Sequence, residues 1–156
     1  TDWLGYLTIF GLLFFIGLQV WQWIRRKSLH KIDWNLFCFD FVCVALVVVY
    51  IIFEFLIINY RPYFDNGVAK ASYPSSHTML FATMLPLIIY QIWHYVKNKP
   101  WRLVLTTLIG IILVFGIVGR LLSGLHWFTD IVAGVIISVC LNIFYWGLVI
   151  GFKRVI

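Results

Sequence analysis

Residues 34–60 read WNLFCFDFVCVALVVVYIIFEFLIINY, and this stretch decides the fold. A helix needs about 20 mainly apolar residues to cross the hydrocarbon core of a bilayer, and the run exceeds that length. Its centre, Val42 to Phe53, does not alternate apolar with polar residues as a strand of a membrane barrel would. The reading is a membrane-spanning helix. Outward from it, four further stretches have the same character: residues 3–24, 75–96, 101–122 and 126–150. The expected architecture is an all-α, polytopic transmembrane helix bundle with five spans, one domain covering residues 1–156. Pro86 falls inside the third span and is expected to kink it, which neighbouring helices tolerate in a membrane.

Composition agrees. The 156 residues are 63% apolar and 12% charged, where a soluble domain carries about 45–50% and about 25%. Mean hydropathy is +0.97. A water-soluble globule, a disordered tail and a disulfide scaffold are excluded. Cys38, Cys43 and Cys140 all sit in apolar runs without a C-x-x-C pair, so they read as small buried hydrophobes. The opening Thr1-Asp2-Trp3 lacks a methionine, as a trimmed chain would, and no basic stretch precedes the first apolar run as in a signal peptide.

The net charge of +6 is distributed by side. Arg25, Arg26, Lys27 and Lys31 lie between the first two spans, Lys97, Lys99 and Arg102 between the third and fourth, and Lys153 and Arg154 after the fifth. These are alternate junctions, so all fall on one side, which the positive-inside rule makes cytoplasmic. Only Arg61, Lys70 and Arg120 fall on the other. The expectation is a multi-pass protein of the cell membrane, and orientation accounts for its basic charge without a nucleic-acid partner.

The outer side holds three polar blocks: Asn59-Tyr60-Arg61-Pro62, then Ser72-Tyr73-Pro74-Ser75-Ser76-His77, then Gly119-Arg120 followed by His126-Trp127-Phe128-Thr129-Asp130. Ionisable groups at that depth are costly and point to function. Pro74-Ser75-Ser76 opens a helix, where unpartnered N–H groups and the positive helix end form an anion cradle; a plain serine N-cap is the other reading. Arg61 and Arg120 carry guanidinium forks that match phosphate oxygens, or else reach for lipid headgroups. His126 and Asp130 stand four apart, on one face of the fifth helix, where the carboxylate can hold one ring nitrogen and leave the other nucleophilic. His77 lies beside the cradle, whereas His30 and His94 adjoin the basic loops and read as structural. Asp2, Asp65 and Asp130 are the only outward acids, too few for a magnesium or zinc site, so the expected chemistry needs no metal or other cofactor.

These blocks resemble the type 2 phosphatidic acid phosphatase superfamily, whose pattern is Lys-x6-Arg-Pro, Pro-Ser-Gly-His and Ser-Arg-x5-His-x3-Asp. Arg61-Pro62 matches the first block, Pro74-Ser75-Ser76-His77 the second with Ser76 for glycine, and Gly119-Arg120 with His126 and Asp130 the third with glycine for serine. The resemblance implies a lipid phosphatase with its site facing the extracytoplasmic side. It implies His126 as nucleophile, Asp130 as its orienting group and His77 as acid and then base. It also implies Arg61, Arg120, Ser75 and Ser76 as phosphate-binding residues, and a lipid phosphate such as undecaprenyl diphosphate, phosphatidic acid or phosphatidylglycerol phosphate as substrate. One departure stands out: Glu54 occupies the family's lysine position. It pairs with Arg61 or Arg120, or Lys70 supplies the missing charge, or activity is reduced or absent; these three readings remain open here.

Overall fold

The computed structural model describes residues 2–28, 32–62 and 70–153. His30, Lys31, Asp65 and Arg154, named above, lie outside the described residues. Five helices follow one another: α1 (Asp2–Arg26), α2 (Trp34–Phe55), α3 (Ser76–Tyr95), α4 (Lys99–Leu122) and α5 (Phe128–Lys153). Four are long and apolar enough to cross a membrane, over Thr8–Arg26, Trp34–Phe55, Lys99–Leu122 and Phe128–Gly151. The expected third span, α3, falls short of them in apolarity, and its position explains why. It packs against each of the other four helices, so its polar side chains meet protein rather than lipid. Thr78, Thr83 and Gln91 are all completely buried on it.

Those side chains tie the bundle together. Thr83 Oγ1 donates to Ser138 Oγ of α5 at 3.0 Å, and Ser138 Oγ donates to the Met79 carbonyl at 3.1 Å. Asn35 of α2 donates to Gln91 at 2.7 Å, and Gln91 donates to the Tyr145 hydroxyl at 3.1 Å. In hydrocarbon such groups need each other, because no water competes for them. Pro86 has no N–H for the carbonyl four residues before it. Asn142 of α5 supplies the missing donor, at 3.0 Å from the Ala82 carbonyl, and α3 runs on uninterrupted to Tyr95.

The apolar core lies between α2, α3 and α5, around Leu36, Phe39, Val42, Met79, Phe81, Met84, Leu87 and Tyr145. Among its described residues α4 buries only Gly116 and Arg120. A Cβ on Gly116 would stand 2.7 Å from the Phe81 ring, so glycine is what lets α4 close on α3. Elsewhere the helices present large apolar side chains outward, such as Phe10, Phe55, Phe115 and Ile143, the surface a lipid-embedded bundle offers its solvent.

At one end of the bundle, Asp33 accepts hydrogen bonds from Gln22 (2.8 Å), Arg26 (2.9 Å) and the Tyr95 hydroxyl (2.8 Å). Burial acts to raise its pKa, but hydrogen bonds from Arg26, Tyr95 and Gln22 outweigh that and hold its carboxyl below the usual carboxylate value. This joins the α1–α2 junction to the end of α3, so the basic residues at 25–27 and those at 97–102 share one end. The three polar blocks gather at the other.

Candidate active site

The second span was expected to reach residue 60, but α2 stops at Phe55, and Leu56 closes it by donating to the Ile52 carbonyl. The reason lies beyond it. Residues 59–61 pair with 70–72: Tyr60 bridges Ala71 antiparallel, Arg61 N–H donates to the Lys70 carbonyl at 3.0 Å, and Ser72 N–H to the Asn59 carbonyl at 2.9 Å. A helix continuing to Tyr60 would forgo this pairing. Trp127 Nε1–H donates to the Tyr60 carbonyl at 2.9 Å and fastens the ribbon to the α4–α5 connection.

That connection carries the histidine. After Leu122 the chain turns through Ser123 and Gly124, whose φ of +65° is one that glycine adopts without strain. His126 was expected on the first turn of the fifth helix, but α5 starts at Phe128 and His126 precedes it. Trp127 caps the helix, since its carbonyl accepts from Asp130 N–H at 3.0 Å. Asp130 reaches back to accept from Trp127 N–H, also at 3.0 Å, one half of a capping box.

The pairing of His126 with Asp130 also differs from expectation. Nδ1 and the Asp130 carboxylate are 3.7 Å apart, too far for a hydrogen bond. With His126 ahead of the helix, the two side chains are not stacked as an i, i+4 pair. Ser72 stands between them. Its carbonyl lies 3.0 Å and its hydroxyl 3.2 Å from Nδ1, and the hydroxyl donates a hydrogen bond to Asp130 Oδ2. A carbonyl only accepts, so Nδ1 carries the proton and Nε2 the lone pair. Nε2 is buried with no hydrogen-bond partner among the described residues.

Burial lowers the His126 pKa first, and the positive charge of Arg61 second. The Ser72 hydrogen bond and the Asp130 charge work to raise it, and Arg120 again lowers it; the net direction is below the ordinary histidine value. Arg61, Arg120 and Asp130 therefore all act on one imidazole. Arg120, in the last turn of α4, is 2% exposed.

A cavity of about 370 Å³ opens here, lined by Glu54, Arg61, Lys70, Ser72, Ser76 and His126, with Tyr50, Phe53, Ile57 and Met79 forming its apolar wall. It brings together Arg61, Ser76 and His126 of the expected site. Ser75 is not brought to it: the residue is fully buried as the N-cap of α3, its N–H donates to the Asp130 carbonyl at 3.0 Å, and its hydroxyl accepts from Thr78 at 3.0 Å. Its amide is thus unavailable to a phosphate. His77 follows Ser76 but does not line the cavity, and its ring meets the edge of Phe81. Glu54 faces the cavity and, like Arg61, acts electrostatically on Tyr50. Ser72 is the residue that sequence reasoning left without a role; it stands 58 positions from Asp130, beyond any local spacing. Among the described residues, no three His, Cys, Asp or Glu side chains gather as a metal site would require.

A family model described as the PAP2 superfamily matches residues 52–154, a range that holds Glu54 and all three polar blocks. No curated protein and no solved structure matches the chain.

Proposed function

The chain belongs to the PAP2 superfamily, in general phosphatases, and from that premise we propose that it is a metal-independent lipid phosphate phosphatase working through a phosphohistidine. The observation that carries this reading is His126: a buried, neutral-leaning ring whose Nδ1 is held by Ser72 and whose Nε2 is bare. Such a nitrogen is a nucleophile without a preceding proton transfer. Nε2 attacks phosphorus as the bond from phosphorus to the lipid oxygen breaks. The family resemblance gives His77 the proton that oxygen needs, and because its ring packs on Phe81 outside the cavity lining, the side chain has to turn toward the cavity to deliver it. Water, deprotonated by His77, then cleaves the phosphorus–nitrogen bond and releases inorganic phosphate.

Phosphoryl transfer depends on positioning and on neutralising charge over the equatorial oxygens. Arg61, Lys70 and Ser76 line the cavity for that task, Arg120 adds its positive charge near His126 without lining the cavity, and Ser75 contributes by holding the start of α3 against Asp130. The cavity's apolar wall suits a lipid tail beside the phosphate, as in undecaprenyl diphosphate, phosphatidic acid or phosphatidylglycerol phosphate. We place the site at the extracytoplasmic face of the cell membrane, opposite the basic junctions. Membrane lipids are its surroundings, and no nucleic acid is involved.

A second reading, a chain that binds or translocates lipid phosphates without rapid hydrolysis, is favoured by Glu54, a carboxylate facing the cavity where the family carries lysine. Phosphate release from these three lipids separates the two. The phosphatase releases phosphate and takes up an acid-labile label, and His126→Ala abolishes both. Turnover unchanged in that variant overturns the nucleophile, and binding without release favours the second reading.

A further inference from the structure

We propose that Ser72 is a positioning residue, whose carbonyl sets the His126 tautomer and whose hydroxyl carries the Asp130 charge to the ring. Ser72 opens the second polar block but lies two residues before the family motif Pro74-Ser75-Ser76-His77, and is 2% exposed. Its backbone is anchored by the Asn59 carbonyl, so both its carbonyl and its hydroxyl are held in place. The hydroxyl has one proton, and Asp130 takes it. Toward Nδ1 the serine therefore presents only lone pairs, from the carbonyl at 3.0 Å and the hydroxyl at 3.2 Å. An imidazole with its proton on Nε2 would set a third lone pair against those two and would lose the Nδ1 hydrogen bonds.

The carboxylate, 3.7 Å from Nδ1, reaches the ring by polarising the serine O–H. As a phosphoryl group arrives on Nε2 the ring becomes cationic, and the chain from Nδ1–H to Ser72 Oγ to Asp130 Oδ2 is aligned to stabilise it. The charges that act on His126 are Arg61, Arg120 and Asp130, with Glu54 and Lys70 on the wall of the same cavity; of the first three only Asp130 favours that cation. Without Ser72 the carboxylate coupled to Nδ1 loses its contact.

The test has two arms, both on the whole chain in lipid nanodiscs. In the first, ring-15N histidine NMR reads the His126 tautomer, with His126→Asn identifying its resonances. We expect Nδ1–H and a bare Nε2 in the unsubstituted protein, which needs no variant to fold; an Nε2–H tautomer overturns the proposal. Asp130→Asn should move the Nδ1–H resonance in the unsubstituted background and leave it in place in Ser72→Ala. A shift of equal size in both backgrounds shows direct action by the carboxylate and also overturns it.

The second arm rests on the phosphatase reading and measures phosphate release from short-chain phosphatidic acid. Removing the group that orients a metal-bound imidazole costs about 10- to 100-fold, and kcat losses of that order are expected for Ser72→Ala and Asp130→Asn singly. The double variant should be no slower than the slower single one, as for residues acting as one unit; losses that multiply overturn the relay. If the unsubstituted chain releases no phosphate from any of the three lipids, the phosphatase reading fails and the tautomer and resonance shifts alone decide the inference.

Discussion

His126 is held below its ordinary pKa by burial first and Arg61 second, and the sign of the pH dependence follows. Protonation removes the Nε2 lone pair, so the acid limb of kcat/KM that His126 sets lies below the ordinary histidine value of about 6.5. Arg61→Gln removes a charge that disfavours the imidazolium, and should move this acid limb upward while raising KM. A limb that stays in place would detach Arg61 from the ring. Glu54→Lys, at the cavity wall, should lower KM by replacing a repelling carboxylate with a phosphate ligand; a loss of activity would instead assign Glu54 to ordering Arg61. A chelator added to the assay should leave the rate unchanged, and strong inhibition would overturn the metal-free mechanism. His126 and Arg61, which the cavity brings together, could be singled out in the sequence because fixed charges and imidazoles stand out in so apolar a chain. Ser72 could not, since a serine carries no such contrast and its role arises only when residues 72 and 130 meet.

Among the elements, α3 is the one that falls short of a membrane span in apolarity and the one that packs against all four others. The run of mainly apolar residues from 75 to 96 located it in the sequence to within one residue at each end. The end of α2 was not legible in this way: the helix stops at Phe55 because the next residues find partners at 70–72. Pro86 was legible as a break in the hydrogen-bond ladder, whereas its remedy, Asn142, was not. Asn142→Leu should leave the Ala82 carbonyl without that donor in a dry interior, a loss of about 1–3 kcal/mol, measured by thermal unfolding in detergent. At Gly134 an added Cβ would lie 3.1 Å from Thr78 Cβ and 3.2 Å from the Ser75 carbonyl. Gly134→Ala should therefore push α5 from the start of α3 and cost about 1–3 kcal/mol. Unchanged melting would show that the two helices yield.

Across the whole molecule, polarity is sorted by end. The Asp33 cluster joins α1, α2 and α3 at one end, and the cavity occupies the other. The hydropathy and charge pattern made that sorting readable, because alternate junctions of a bundle must share a side. Asp130 belongs to both the architecture and the chemistry of its end. Its carbonyl receives Ser75 N–H, and its carboxylate receives Trp127 N–H and Ser72 Oγ, so one side chain and one peptide oxygen staple three segments. Randomised libraries sorted first for expression and then for lost turnover should therefore yield many survivors altered at position 126 and few at position 130.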